Sequence, residues 1–178
     1  MTRAQKTAAP RSAPASSVQG IARPLVTVDV AIFTLIDEAL HVLLVQRPSH
    51  EAEPFPGRWA LPGGFVDVLQ DADLRACALR KLHEKTGVDS PYLEQLGGWG
   101  GRARDPRGWS VTQAYFALLP WASLQPRKGA NAADVRWFAV DDLGVPAAEE
   151  GLAFDHAQIL AAALERLRAK VEYTSLPA

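Results

Sequence analysis

Two glycines, Gly63-Gly64, stand just ahead of a segment with helical periodicity that ends at another glycine, Gly87. This combination constrains the chain more than any other. Paired glycines let a backbone approach a neighbour where a side chain would collide. Asp71 to Lys85 is predicted as a helix, with Asp71 or Asp73 able to cap its first turn. Gly87 suits a left-handed cap after its last turn. Leu74, Ala78 and Leu82 repeat at helical spacing and predict a core-facing stripe. Lys81, Glu84 and Lys85 share a neighbouring face.

The flanking sequence predicts strands. Val26 to Ile36 and His41 to Gln46 are apolar runs around Asp37-Glu38-Ala39, and read as a hairpin of two buried strands. Pro48 to Gly57 holds three prolines and reads as a loop, and Pro62-Gly63-Gly64 reads as a backbone turn. Tyr92 to Trp99, Trp109 to Leu119 and Val135 to Val140 are further strands, with a type I turn at Asp105-Pro106-Arg107-Gly108. Asp155 to Val171 reads as a second helix, its apolar side made by Ile159, Ala162, Ala163, Leu164 and Leu167. Strands and helices mix without a βαβ rhythm. The expected class is therefore α+β, a mixed β-sheet sandwiched between helices as an α/β/α arrangement.

Charge is unevenly placed. Residues 1–22 are basic, free of acids and without apolar periodicity, and read as a disordered tail before one domain over 23–178. Beyond residue 24 the chain carries 15 basic and 20 acidic residues, a balance of −5. Such a fold is a poor general binder of nucleic acid. No apolar run is long enough for a membrane helix, and no membrane partner is expected. The one cysteine, Cys77, forms no internal disulfide, which suits a cytoplasmic setting.

The segment Gly64 to Val88 resembles the box of the Nudix hydrolases, G-x5-E-x7-R-E-U-x-E-E-x-G-U, where U is aliphatic. Gly64, Arg80, Leu82, Glu84, Gly87 and Val88 match it. The likeness extends to Val45-Gln46-Arg47, Trp59-Ala60-Leu61-Pro62 and Arg136-Trp137-Phe138, in family order. It implies the Nudix fold and cleavage of a nucleoside diphosphate linked to another group, with Mg²⁺ or Mn²⁺ bound by clustered carboxylates. Glu84 and Arg80 are then the expected catalytic residues.

Here the box departs from the pattern. Lys81 and Lys85 replace two of the three clustered glutamates, which changes the local charge from −3 to +1. The Gly64–Arg80 spacing is two residues longer than the pattern's, so its first glutamate falls on Gln70 or Ala72. Three readings stay open. An atypical metal site could be rebuilt from Glu84 with Asp67, Asp71, Asp73 or Asp134. Lys81 and Lys85 could grip the pyrophosphate as fixed charges. Or the domain could sense a nucleotide-sugar ligand without catalysis. Gly63, Gly64, Lys81, Lys85, Arg47 and Arg107 are the candidate phosphate or substrate contacts; Arg47 reads equally as an exposed strand end and Arg107 as a solvated hairpin tip.

Tyr92 to Leu96 and Arg104 to Gly108 resemble the branch holding ADP-ribose pyrophosphatases and the Nudix-related regulators of NAD metabolism, which implies an ADP-ribose-like small-molecule partner. The regulators carry a winged-helix domain after the Nudix part. The chain reaches Ala178, roughly where that domain would begin, so nucleic acid is not an expected partner. A homodimer is allowed. Trp59, Trp99, Trp109 and Tyr115 are either core residues or base-stacking candidates. Arg104 is expected to be solvated at a hairpin tip, and His156 to cap or pack near a helix start.

Overall fold

Strand β1, Leu25–Ile36, is buried on both faces from Val28 to Phe33, which explains an apolar run that only Asp29 interrupts there. Successive side chains alternate between faces. Val28, Val30 and Ile32 enter one core with Cys77, Ala78 and Leu82, while Ala31 and Phe33 enter another with Ile159, Leu160 and Leu164. A helix therefore lies on each side of the sheet, and the expected α/β/α sandwich is present. The computed structural model describes residues 22–90, 92–124, 132–143 and 151–174. The predicted tail, apart from Ala22, lies outside the described residues.

The elements follow as β2 (Ala39–Gln46), β3 (Trp59–Ala60), β4 (Gly63–Phe65), α1 (Leu74–Thr86), β5 (Glu94–Gly101), β6 (Ser110–Leu118), β7 (Asp134–Ala139) and α2 (His156–Thr174). The sheet runs β3-β2-β1-β6-β5, with β4 paired to β1 and β7 to β2. β1 and β6 are parallel, whereas the pairs β1–β2, β5–β6 and β2–β7 are antiparallel. The sheet is thus mixed.

Local chemistry accounts for the junctions. Asp37 and Glu38 both have positive φ, 48° and 65°, which gives the two-residue turn that matches strand twist. Ile36 then faces Ala39 directly, so Ala39 belongs to the strand and not to the turn. Asp73 caps α1 by accepting from the Ala76 N–H at 2.7 Å. Gly87, at φ 69°, closes the helix with its N–H on the His83 carbonyl. Ala78 and Leu82 are buried as expected, but Leu74, the first residue of the helix, is 36% exposed.

The Gly63-Gly64 turn needs a correction. Both glycines form strand β4, antiparallel to β1 and with Asp29 opposite Gly63. A Cβ on Gly63 would drive into the Asp29 carboxylate and the Val28 carbonyl. Here the glycines permit close strand pairing rather than a reversal.

Candidate functional site

A cleft of about 340 Å³ opens where β4, α1, the β5–β6 turn and the start of α2 converge. Gly63, Gly64, Lys81, Lys85, Arg47 and Arg107 all line it. Gly64 takes φ 153°, and a Cβ there would meet the Lys81 side chain at 3.2 Å. The glycine thus lets the Lys81 stem lie flat on β4. Five basic side chains (Arg47, Lys81, Lys85, Arg104, Arg107) face three acidic ones (Asp29, Glu53, Asp105) across the walls.

Burial lowers the Lys85 pKa, and the charges of Lys81 and Arg47 lower it further. Arg47 is lowered by burial, against the pull of Glu53, and Arg107 adds to the lowering. Its guanidinium pairs with Glu53 and donates to the Pro54 carbonyl at 2.7 Å. Positive charge is therefore crowded around this cleft, a field that favours an anion.

The expected catalytic and metal residues are arranged differently. Arg80 donates to both oxygens of Asp71, at 2.7 and 2.6 Å, and to Glu84 Oε1 at 2.9 Å. Lys81 Nζ donates to Glu84 Oε2 at 3.2 Å. The Arg80 hydrogen bonds hold the Asp71 carboxyl well below the ordinary range. Burial raises the Glu84 pKa, but Arg80 and Lys81 outweigh it and the net shift is downward. Asp67 accepts from the Leu69 N–H and from Gln70, Asp73 is the helix cap, and Asp134 accepts from Arg136. None of Arg80, Glu84, Asp67, Asp71, Asp73 and Asp134 lines the cleft.

Mg²⁺ and Mn²⁺ need several oxygen donors directed at one point. On α1 the single box carboxylate already has each oxygen on a cation, and Lys81 lies beside it. Among the described residues, no three of His, Cys, Asp and Glu gather to hold a metal. The residues present do not fit a bound divalent ion. Cys77 is buried, and burial, with Asp71 nearby, pushes its thiol up to about 12.

Behind the cleft lies a polar cluster. Arg104 has a side chain only 7% exposed and donates to both oxygens of Asp155, at 2.9 and 2.8 Å. It also lies 3.5 Å from Asp29 and donates to Ser110 Oγ at 3.2 Å. His156 Nδ1 accepts from the Leu61 N–H at 2.9 Å, so the ring proton sits on Nε2, 3.4 Å from Asp29. The expectation that Arg104 is solvated is wrong, because the β5–β6 hairpin folds back onto the start of α2. His156 packs and positions, as expected.

The family follows from one further observation. The model of the NUDIX domain matches residues 26–163. This chain belongs to the Nudix family. It is 47% identical over 154 residues to NtrR, an ADPR responsive transcriptional repressor of Acinetobacter baylyi, covering 86% of this chain and 58% of the repressor. It is 29% identical over 131 residues to an ADP-ribose pyrophosphatase of Methanocaldococcus jannaschii, covering 74% and 70%. Among solved structures it resembles the NUDIX domain of Shewanella oneidensis NrtR, cocrystallised with ADP ribose. The TM-score is 0.75 and the identity 44%, over 85% of this chain and 94% of that one. The chain thus spans little more than half of the repressor it matches. A transcriptional repressor among the relatives leaves the expectation against nucleic acid without support. Among the described residues, no helix is long and apolar enough to cross a membrane.

Several cleft residues were not singled out by sequence. Asp29 carried a signal, as the only charged residue within the Val26–Ile36 run. Asp105 reads in sequence only as part of a turn, and Glu53, Phe65 and Phe154 have no role of their own there. The stacking candidates Trp59, Trp99, Trp109 and Tyr115 all lie off the cleft walls. Tyr115 is buried, and Trp59 and Trp99 pack on the core under α2. The aromatic rings that do line the cleft are Phe65 and Phe154.

Proposed function

We propose that the cleft binds a nucleoside diphosphate joined to a sugar, ADP-ribose first among them, and that the domain responds to this ligand more than it turns it over. One observation carries the reading. Lys81 and Lys85 line the cleft from α1, at the two box positions where the family pattern has glutamates. Fixed ammonium groups neutralise phosphate oxygens by point charge. The ADPR-responsive repressor and the ADP-ribose complex of its structural neighbour support the choice of ligand. A cytoplasmic setting belongs to the same reading.

A second reading is hydrolysis of the diphosphate with a divalent ion. It is supported by the ADP-ribose pyrophosphatase relative and by Glu84, the retained box carboxylate. One experiment separates the two. Melting temperature and product release are followed with ADP-ribose, with and without Mg²⁺ or Mn²⁺. The responsive reading expects stabilisation by ADP-ribose in chelator, with little product in any metal. A bound ligand raises the melting temperature by linkage. Rapid, metal-dependent product release would favour the hydrolase. In that event Glu84→Gln should lower turnover at least tenfold, about 1.4 kcal/mol.

A further inference from the structure

Phe65 is 40% exposed, although it sits on β4 opposite Thr27 of the central strand. Its ring lines the cleft, and the Arg107 guanidinium lies over it, 4.7 Å from Cζ to the ring centroid. Arg107 is tethered there. Its Nε and Nη2 donate to the two oxygens of Asp105 at 2.9 and 2.7 Å, and its backbone N–H donates to the same carboxylate at 2.9 Å. Asp105 is itself buried, so the tether has a fixed base.

An open aromatic face beneath a planar cation is the arrangement that grips a flat, π-rich group. The base stacks on the ring, and the guanidinium plane covers its other face. One residue earlier, Gly64 abuts Lys81, and Lys85 lines the same cleft. Side chains of successive strand residues point to opposite sides. The lysines and the Phe65 ring therefore flank one short strand, and a ligand touching both needs phosphates at one end and a ring at the other.

We propose that Phe65 and Arg107 are the two jaws of a base-stacking clamp, which takes the aromatic base of a nucleotide whose diphosphate lies on Lys81 and Lys85. This rests on the reading of the cleft given above. With 4.7 Å between Cζ and the ring centroid there is no room for a base between them, so a base enters by parting the two, and the Asp105 tether keeps Arg107 within reach of the base afterwards.

The test is calorimetric titration of ADP-ribose, and of base-free ribose 5-phosphate, into the wild-type chain and into Phe65→Leu, Phe65→Trp and Arg107→Lys. Phe65→Leu removes the π face, and Arg107→Lys keeps the charge but loses the plane. Each should weaken ADP-ribose by about tenfold or more. Phe65→Trp should bind ADP-ribose as well as wild type or better. Ribose 5-phosphate should change by less than roughly twofold in every variant, and the Leu–Lys double change should be less than additive, because the jaws act together. Unchanged ADP-ribose affinity in Phe65→Leu or Arg107→Lys overturns the clamp. So does an equal loss of ribose 5-phosphate, since the residues would then serve phosphate or folding. A wild-type chain that binds neither ligand overturns the reading of the cleft itself, and the clamp with it.

Discussion

The cationic face of α1 and the polar cluster behind the cleft are both rich in charge, yet they are built oppositely. On α1, Arg80, Lys81 and Glu84 are neighbours in sequence and partners in space, and the Lys81–Glu84 pair is part-exposed. In the cluster, Arg104 meets Asp155 across 51 residues, and His156 meets Leu61 across 95. The first is a local surface that can be rewritten with little harm to the fold. The second joins β1, the β5–β6 turn and α2, and its charges have lost most of their water. A buried charge is tolerable only while its partner is present. One region should govern what the cleft binds, and the other whether the cleft exists.

The sharpest break of this contrast is Arg104→Ala. It leaves Asp155 and Asp29 without their guanidinium in the interior. Removing one member of a buried pair should lower the unfolding free energy by about 3–5 kcal/mol, read from denaturant melts. A loss under about 1 kcal/mol would place the cluster with ordinary surface pairs.

Next is the double change Lys81→Glu, Lys85→Glu. Stability should move little, while ADP-ribose affinity falls more than tenfold, about 1.4 kcal/mol. Mg²⁺ affinity should rise, since three carboxylates then share the helix face. Calorimetric titration of both ligands checks this, and indifference to both would remove this face from the site.

A smaller effect is expected from acid. Arg80 holds the Asp71 carboxyl below its ordinary value of 3.8. The folded chain keeps that group ionised where the unfolded chain takes up a proton, so its stabilising contribution is full above the ordinary value and is lost as pH falls. Wild type should melt above Asp71→Asn at neutral pH, and the gap should narrow from about pH 5 to about pH 2. A gap independent of pH would mean that shape, not charge, holds Asp71.

The smallest effect should come from deleting residues 1–22. Ordering such a segment is unfavourable without apolar burial, so the melting temperature should shift by less than about 2 °C. A larger fall would show that the tail packs on the domain.

Much of the α1 side was legible in the sequence because its signals are local. The cap at Asp73, the left-handed Gly87 and the shared face of Lys81, Glu84 and Lys85 all follow from helical spacing. The six residues named as phosphate or substrate contacts do line one cleft. The carboxylates named for metal do not meet. Asp71 and Asp73 are two residues apart, but one is held by Arg80 and the other is spent on the helix cap. Spacing alone does not say which hydrogen bonds a carboxylate will already have made.

By itself the sequence determined the family, the layered α/β/α class and the cationic box, because periodicity, glycine spacing and charge are properties of short segments. Only the tertiary structure decided that Gly63-Gly64 is a strand, that Arg104 is buried, and that Phe65 and Phe154 rather than the tryptophans reach the cleft. Each of these depends on which distant backbone lies alongside. Asp29 makes the reason concrete. Its place on β1 is local, but its surroundings are Gly63, Arg104 and His156, which the sheet brings together from three other parts of the chain.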